Sequence, residues 1–324
     1  MRGTLAPFSR ASDNPIAIAC LRLVTFLPLL PLFNVPRLRR RIADFTALPA
    51  PLLYRAIVTT STLDFGPAAA NAMQASPPPG SRCRAYNWDV DIATRLRGLD
   101  WDAIAISLDA HGYAHTPAVL TPDECAALVA MYGEGERFRS RVDMARFRFG
   151  VGDYQYFAEP LPPLVEALRE HAYPPLAAVA NRWESALGTS VVHPTTLAEM
   201  RAHCRAHGQT KPTPLLLHYE AGGYNCLHQD LYGDIVFPLQ LTVFLSRRGV
   251  DYEGGEFLLV EQRPRAQSRG EAIDPGQGEM VIFATRHRPV RGARGWYRAA
   301  LRHGVGTIRR GTRYTLGVIF HDAR

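Results

Sequence analysis

The sequence predicts an α+β protein, helices first and a β core in the C-terminal half. A helical hydrophobic period between Trp88 and His207 gives way after Pro214 to alternating apolar and polar positions. The later apolar segments are short and separated by turns rich in Gly, Pro and Arg. No internal repeat interrupts this order. Many short strands after a helical layer imply a closed or two-sheet β architecture with helices packed outside it.

Each element has a local reason. Trp88 to Leu108 is a mixed amphipathic stretch that predicts one or two short helices. The next helix opens at Thr121-Pro122-Asp123-Glu124. Thr121 can cap it, Pro122 suits the first helical position, and Glu124 stands where a capping box needs its carboxylate. Ala126, Leu128, Val129 and Met131 supply its buried face. Leu164 to Leu187 predicts two helices split at Pro174-Pro175, the second carrying Leu176, Val179, Ala180, Trp183 and Leu187. Thr195 to His207 predicts a further helix, stopped by Gly208. In the strand region Leu239, Leu241, Val243 and Leu245 alternate with Gln240, Thr242 and Phe244. Glu256 to Glu261, Glu279 to Ala284 and Arg313 to Phe320 are further strands.

Residues 1–80 are a different kind of sequence. They hold 11 of the chain's 25 prolines and no Lys or Glu, so a packed domain is not expected there. Ile16 to Phe33 is an 18-residue apolar run, long enough to consider a membrane span, but Arg22, Pro28 and Pro31 interrupt it. The segment reads as an extension upstream of a start at Met73 or as disorder, as an anchor, or as a signal. The expected domain is residues 81–324, a helical layer over 88–208 and a β core over 214–322. Cys20, Cys83, Cys125, Cys204 and Cys226 form no CxxC pair, which suits a reducing compartment; a cytoplasmic protein with no stable membrane partner is expected. Of the net charge of +7, residues 1–80 account for +5, leaving 29 basic against 27 acidic groups in the body. Any basic patch there is local.

The chemistry lies between Tyr219 and Arg313. In extended backbone His228 and Asp230 project to one side and can grip one ion together. Imidazole with carboxylate suits a divalent first-row metal. A lone HxD is common by chance; His303, followed ten residues later by Arg313 at the head of a strand, strengthens it. Arg313, Thr315 and Gly317 share a face, which makes a carboxylate pocket. His287 is an alternative distal ligand.

From about Gly112 onward the chain resembles the Fe(II)- and 2-oxoglutarate-dependent oxygenases, in the branch that includes the prolyl 4-hydroxylases. The shared pattern is carried by Tyr219, Gly222 or Gly223, Tyr224, His228, Asp230, Gly254-Gly255-Glu256, His303 and Arg313. The segment from His303 to Asp322 resembles a bacterial subfamily described as oxygenases acting on damaged nucleic acid. The resemblance implies a double-stranded β-helix (jelly-roll) core. It also implies Fe(2+) on His228, Asp230 and His303, and 2-oxoglutarate as co-substrate on Arg313 and Tyr219, with ascorbate as an accessory reductant. The implied reaction hydroxylates or oxidatively demethylates a substrate and releases succinate and carbon dioxide. That substrate is expected to be modified DNA or RNA, with a protein substrate (prolyl-type hydroxylation) as the alternative. A non-catalytic jelly-roll sensor of a metal or organic acid is the reading from another class. Phe244 departs from the pattern, standing where several prolyl hydroxylases offer a tyrosine.

Other residues have plainer readings. His203 and His207 lie four apart on a helix but have no third ligand in view, so a solvated face is expected. His321 and Asp322 close the last strand, with a supporting role at the site left open. Cys226 is expected to pack. Tyr224 either lines the substrate mouth or braces its strand. Arg286, Arg288, Arg291, Arg294, Arg298 and Arg302 occupy a span with no acid. Their two readings are a solvated loop and an anion-binding rim, in which Arg288 and Arg291 meet phosphates and Trp296 and Tyr297 stack.

Overall fold

The computed structural model describes residues 91–324, so the readings of residues 1–80 lie outside the described residues. Helices form where the caps allow. Asp91 accepts from the Thr94 N–H to start Ile92–Arg97 (α1), and Asp100 does the same for Trp101–His111 (α2), which Gly112 ends at φ +79°. The Thr121–Glu124 capping box opens Pro122–Ala130 (α3) as expected. Pro163–Ala186 (α4) runs unbroken through Pro174 and Pro175, which corrects the expectation of two helices. A proline inside a helix costs about 3 kcal/mol or more. Here Leu168, Leu176, Val179 and Trp183 on either side of the prolines all enter one core, each large side chain contributing about 1.5–3 kcal/mol. Tertiary burial holds the helix together. A second capping box, Thr196 with Glu199, opens Leu197–Ala206 (α5).

The strands begin earlier than Pro214. Tyr113–Thr116 (β1), Phe138–Asp143 (β2), Gly150–Val151 (β3) and Asp153–Phe157 (β4) fall inside the span read as a helical layer. They are short, and Arg139 and Arg141 charge the edge strand β2, so no apolar alternation announces them. Leu215–Tyr219 (β5), Tyr224–His228 (β6), Leu239–Phe244 (β7), Tyr252–Gly254 (β8), Phe257–Gln262 (β9) and Arg269–Ile273 (β10) follow. Met280–Ala284 (β11), His287–Gly292 (β12), Gly295–Val305 (β13), Ile308–Gly311 (β14) and Arg313–Ile319 (β15) complete the chain.

A seven-stranded sheet runs β1-β11-β7-β15-β5-β4-β2, and a second sheet runs β10-β9-β13-β6-β3 with β12 bonded to β13. Every one of these pairings is antiparallel. From β5 onward the chain alternates between the two: β5, β7, β11 and β15 in the first, β6, β9, β10 and β13 in the second. That winding is the double-stranded β-helix, or jelly roll, that the family resemblance implied and the alternating segments permitted. On β7, Leu239, Leu241 and Val243 join the core that includes α4, whereas Gln240 and Thr242 line an internal cavity. Both faces of β7 are therefore buried.

Arg169 of α4 ties that helix to the end of β15. It donates to the Ile319 and Phe320 carbonyls at 3.1 and 3.0 Å and to Asp322 Oδ1 at 2.7 Å, all buried. Beside it, His321 is fully buried, and its Nδ1 accepts from the Phe237 N–H at 3.2 Å. Burial, reinforced by the Arg169 guanidinium, holds the His321 pKa down at about 4 against an ordinary 6.5. Between those values the unfolded chain binds a proton that the folded chain refuses. Stability is thus expected to fall as pH drops from about 6.5 toward 4, by roughly 3 kcal/mol from this residue. Urea unfolding at about pH 7 and about pH 4.5 checks it. His321→Asn should lose markedly less stability than the wild type, and equal losses would place the acid sensitivity elsewhere.

Candidate active site

Three side chains distant in sequence converge on the second sheet. β6 ends in His228, Asp230 follows two residues on, and β13 pairs with β6 so that His303 stands directly opposite His228. His303 Nε2 lies 3.1 Å from Asp230 Oδ2, and His228 Nε2 lies 3.5 Å from Asp230 Oδ1. The three candidate ligand atoms fall within 4.8 Å of one another, and among the described residues no other such group is found. Asp230 and His303 are buried and His228 is half-buried.

The protonation states suit a cation. Burial pushes the Asp230 carboxyl up, but the His303 and His228 rings and the Tyr232 hydroxyl outweigh it and hold the group well below the ordinary carboxylate range. Burial, then the neighbouring His303, pushes the His228 imidazole down. An ionised carboxylate beside a neutral imidazole is what a metal ligand set requires. The Nδ1–H of His228 donates to the Cys226 carbonyl at 2.7 Å, which leaves Nε2 with its lone pair free. Two nitrogens and one oxygen on one side of an ion leave its remaining positions open.

Sequence reading missed the residue that aims the acid. Tyr232 Oη donates to Asp230 Oδ1 at 2.7 Å, so Oδ2, the oxygen nearest His303, remains for the ion. Its only sequence signal is an aromatic hydroxyl two residues past the acid.

The first sheet supplies the opposite charge. β15 opens with Arg313, paired in register with Tyr219 of β5. Arg313 is 1% exposed, and its guanidinium carbon lies 5.1 Å from the Phe244 ring centre, 5.6 Å from that of Tyr219 and 5.9 Å from that of Tyr252. Its Nε and Nη1 are buried without a hydrogen-bond partner. Gly255, at φ +64°, makes room: a Cβ there would come within 3.2 Å of Arg313 Cδ and 2.2 Å of Ile308 Cδ1. Burial pushes the Tyr219 phenol up to about 12, so it stays protonated, and it accepts from Asn225 Nδ2 at 3.3 Å.

The triad, Arg313, Tyr219 and Thr315 line one cavity of about 390 Å³, a size suited to a small ligand. A buried cation without an anion is costly, so the unpartnered guanidinium fits a carboxylate group bound in that cavity. The donor set thus fits both parts of an iron and 2-oxo-diacid centre.

Several expectations are relocated. His287 sits half-buried on β12 and does not line the cavity, so the distal histidine at the site is His303. None of the six arginines between 286 and 302 lines the cavity either. They lie on or beside the β12–β13 hairpin; on β13, His303, Leu301 and Ala299 are buried while Arg302 and Arg298 alternate outward. Arg288 is buried in an ion pair with Glu261 at 2.7 Å and donates to the Asp109 carbonyl at 2.8 Å. Arg291 is exposed, 5.4 Å from the Trp296 ring centre. Tyr224 is exposed on β6, outside the cavity lining. Cys226 is exposed beside the cavity rather than packed. His203 and His207 meet edge to face, with no third ligand among the described residues, and Asp322 belongs to the Arg169 clasp. The exposed residues that line the cavity, and so mark its mouth, are instead Arg148, Phe149, Cys226, Leu227 and Leu231.

Residues 152–323 match the model of the Oxygenase-NA family, described as an oxygenase catalysing oxidative methylation of damaged DNA. An uncharacterized protein of Mycobacterium tuberculosis, found in strains H37Rv and CDC 1551, is 52% identical over 167 residues, spanning 52% of this chain and 72% of the relative. A Pseudomonas putida prolyl-4-hydroxylase is similar at 16% identity and TM-score 0.41, over 69% of this chain and 99% of that one. A 2OG-Fe(II) oxygenase-family oxidoreductase of Burkholderia pseudomallei is similar at 14% identity and TM-score 0.40, over 70% of this chain and 93% of that one.

The Tyr232 contact makes a prediction. Tyr232→Phe removes one hydrogen bond from the ligating carboxylate and should weaken Mn(II) or Co(II) binding about 10- to 100-fold by calorimetric titration. Unchanged affinity would show that Asp230 is held without it.

Proposed function

We propose, for a chain that belongs to the Oxygenase-NA family of iron(II)- and 2-oxoglutarate-dependent oxygenases, that its substrate is a modified base in single-stranded nucleic acid. Iron(II) held here would supply oxidative chemistry in which dioxygen is the oxidant: one oxygen atom enters a substrate C–H bond and the other enters succinate as 2-oxoglutarate loses carbon dioxide. His228, Asp230 and His303 would hold the metal. Arg313 would pair with the distal carboxylate of the co-substrate, and Tyr219, protonated throughout the neutral range, would donate a hydrogen bond to it. Phe257, Phe283 and Val305 line the same cavity and would keep bulk water from the reacting atoms. Asp230 takes no proton from substrate in this reading; its negative charge serves the metal.

The observation that carries the reading is the buried, unpartnered guanidinium of Arg313 in the same cavity as the triad. A sensor of a metal alone would need no such anchor, and a sensor of an organic acid alone would need no triad beside it. The substrate class rests on the family's description together with the arginine and aromatic residues at the mouth.

Purified protein with Fe(II), ascorbate and 2-oxoglutarate should release carbon dioxide slowly, and methylated single-stranded oligonucleotides should stimulate succinate formation. Stimulation by proline-rich peptides alone would transfer the activity to protein substrates. No turnover under any condition would leave a non-catalytic sensor. Arg313→Leu should raise the 2-oxoglutarate KM at least about 30-fold. It should leave the unliganded fold as stable as the wild type or more so, because it removes an uncompensated buried charge. Unchanged co-substrate kinetics would move the anchor to another residue.

A further inference from the structure

The segment Arg146-Phe147-Arg148-Phe149 alternates cation and ring, and residues 144–152 contain no acid. A 3-10 turn at Ala145–Phe147 leads into Arg148, held at φ +60° in the left-handed region that non-glycine residues seldom adopt. This reversal brings Arg148 and Phe149 to the cavity mouth. The segment is fixed there: the Phe149 N–H donates to the Met144 carbonyl at 3.0 Å, and the Phe149 carbonyl accepts from the Cys226 N–H at 2.8 Å. β3, immediately after, pairs with β6, the strand that ends in His228. The lip is thus tied to the strand that carries a metal ligand.

Its rings face water. Phe147 is 52% and Phe149 47% exposed, and the two stack at 5.6 Å with 21° between planes. The Arg146 guanidinium carbon lies 5.9 Å from the Phe147 ring centre. Leu227 and Leu231, which line the cavity and are exposed, extend the apolar surface around the mouth. A rigidly held, exposed aromatic pair flanked by cations is surface in want of a flat, anionic occupant.

We propose that this segment is the lip that grips a single-stranded nucleic acid, Phe149 stacking on a base beside the one that enters the cavity and Arg148 meeting a phosphate. The proposal rests on the substrate reading above and adds the surface that binds the strand. Rings and guanidinium groups in alternation match a polymer of bases and phosphates; an acidic peptide would match the charge but offer no succession of flat faces. A duplex fits less well, because a stacked base cannot reach a buried centre. On this reading the exposed arginines of the β12–β13 hairpin lie outside the binding surface.

Fluorescence anisotropy of a labelled, methylated single-stranded oligonucleotide with the full metal-free chain tests it. The wild type should bind. Phe149→Ala and Phe149→Leu should each weaken binding about 10-fold or more, the leucine keeping the apolar contact without the flat face. Arg148→Ser should weaken binding and flatten the salt dependence by about 0.7 in log–log slope, one phosphate contact's worth. Arg291→Ser with Arg294→Ser on the hairpin should leave binding unchanged. If the wild type binds and the lip variants bind equally well, the lip proposal falls while the substrate reading stands. If the wild type binds no oligonucleotide, or binds only a peptide, the substrate reading falls and takes the lip with it.

Discussion

In the antiparallel pairing of β6 with β13, a slip of one residue would carry His303 to the outer face and bring Arg302 or Gly304 opposite His228. The metal centre therefore depends on backbone hydrogen bonds before it depends on any side chain. That register is held from both sides of β13. β9 pairs with it from Phe257–Val305 to Gln262–Ala300, and buried Leu259, Leu301 and Phe257 favour the inward face. The site is a consequence of where the apolar residues of two strands must go.

The two sheets divide the electrostatic work. One presents two imidazoles and an acid, which attract a cation; the other presents a guanidinium ringed by Tyr219, Phe244 and Tyr252, which attracts an anion. Neither set is fully satisfied by protein. His303 Nδ1 and the Nε and Nη1 of Arg313 are buried without partners, whereas most buried polar groups in a folded protein find one. At Arg313 stability is conceded where the carboxylate end of a bound ligand would restore it.

Much of this was legible in the sequence, and the reasons differ by residue. Thr121 with Glu124 could be recognised because capping is local chemistry. His228, Asp230, His303 and Arg313 could be recognised because strand alternation and the resemblance to a known oxygenase pattern pointed to the same positions. Pro174 and Pro175 were misleading because the local rule for proline yields to burial on both sides of it. The arginines between 286 and 302 were misleading because counting charge ignores face: on β13 the period of two sends Arg298 and Arg302 outward and His303 inward. Tyr232 escaped notice because a two-residue spacing does not reveal that its hydroxyl turns back onto Asp230, and the segment Arg146–Phe149 because its partner Cys226 is fixed only by a tertiary contact.

Anaerobic soaking of crystals with Mn(II) and 2-oxoglutarate tests the central claim most directly. The account predicts one anomalous peak within coordination distance of His228 Nε2, His303 Nε2 and Asp230 Oδ2. It also predicts continuous density for the diacid running from that peak to the guanidinium of Arg313. A metal bound away from these three atoms, or a diacid whose far carboxylate turns from Arg313, would contradict it.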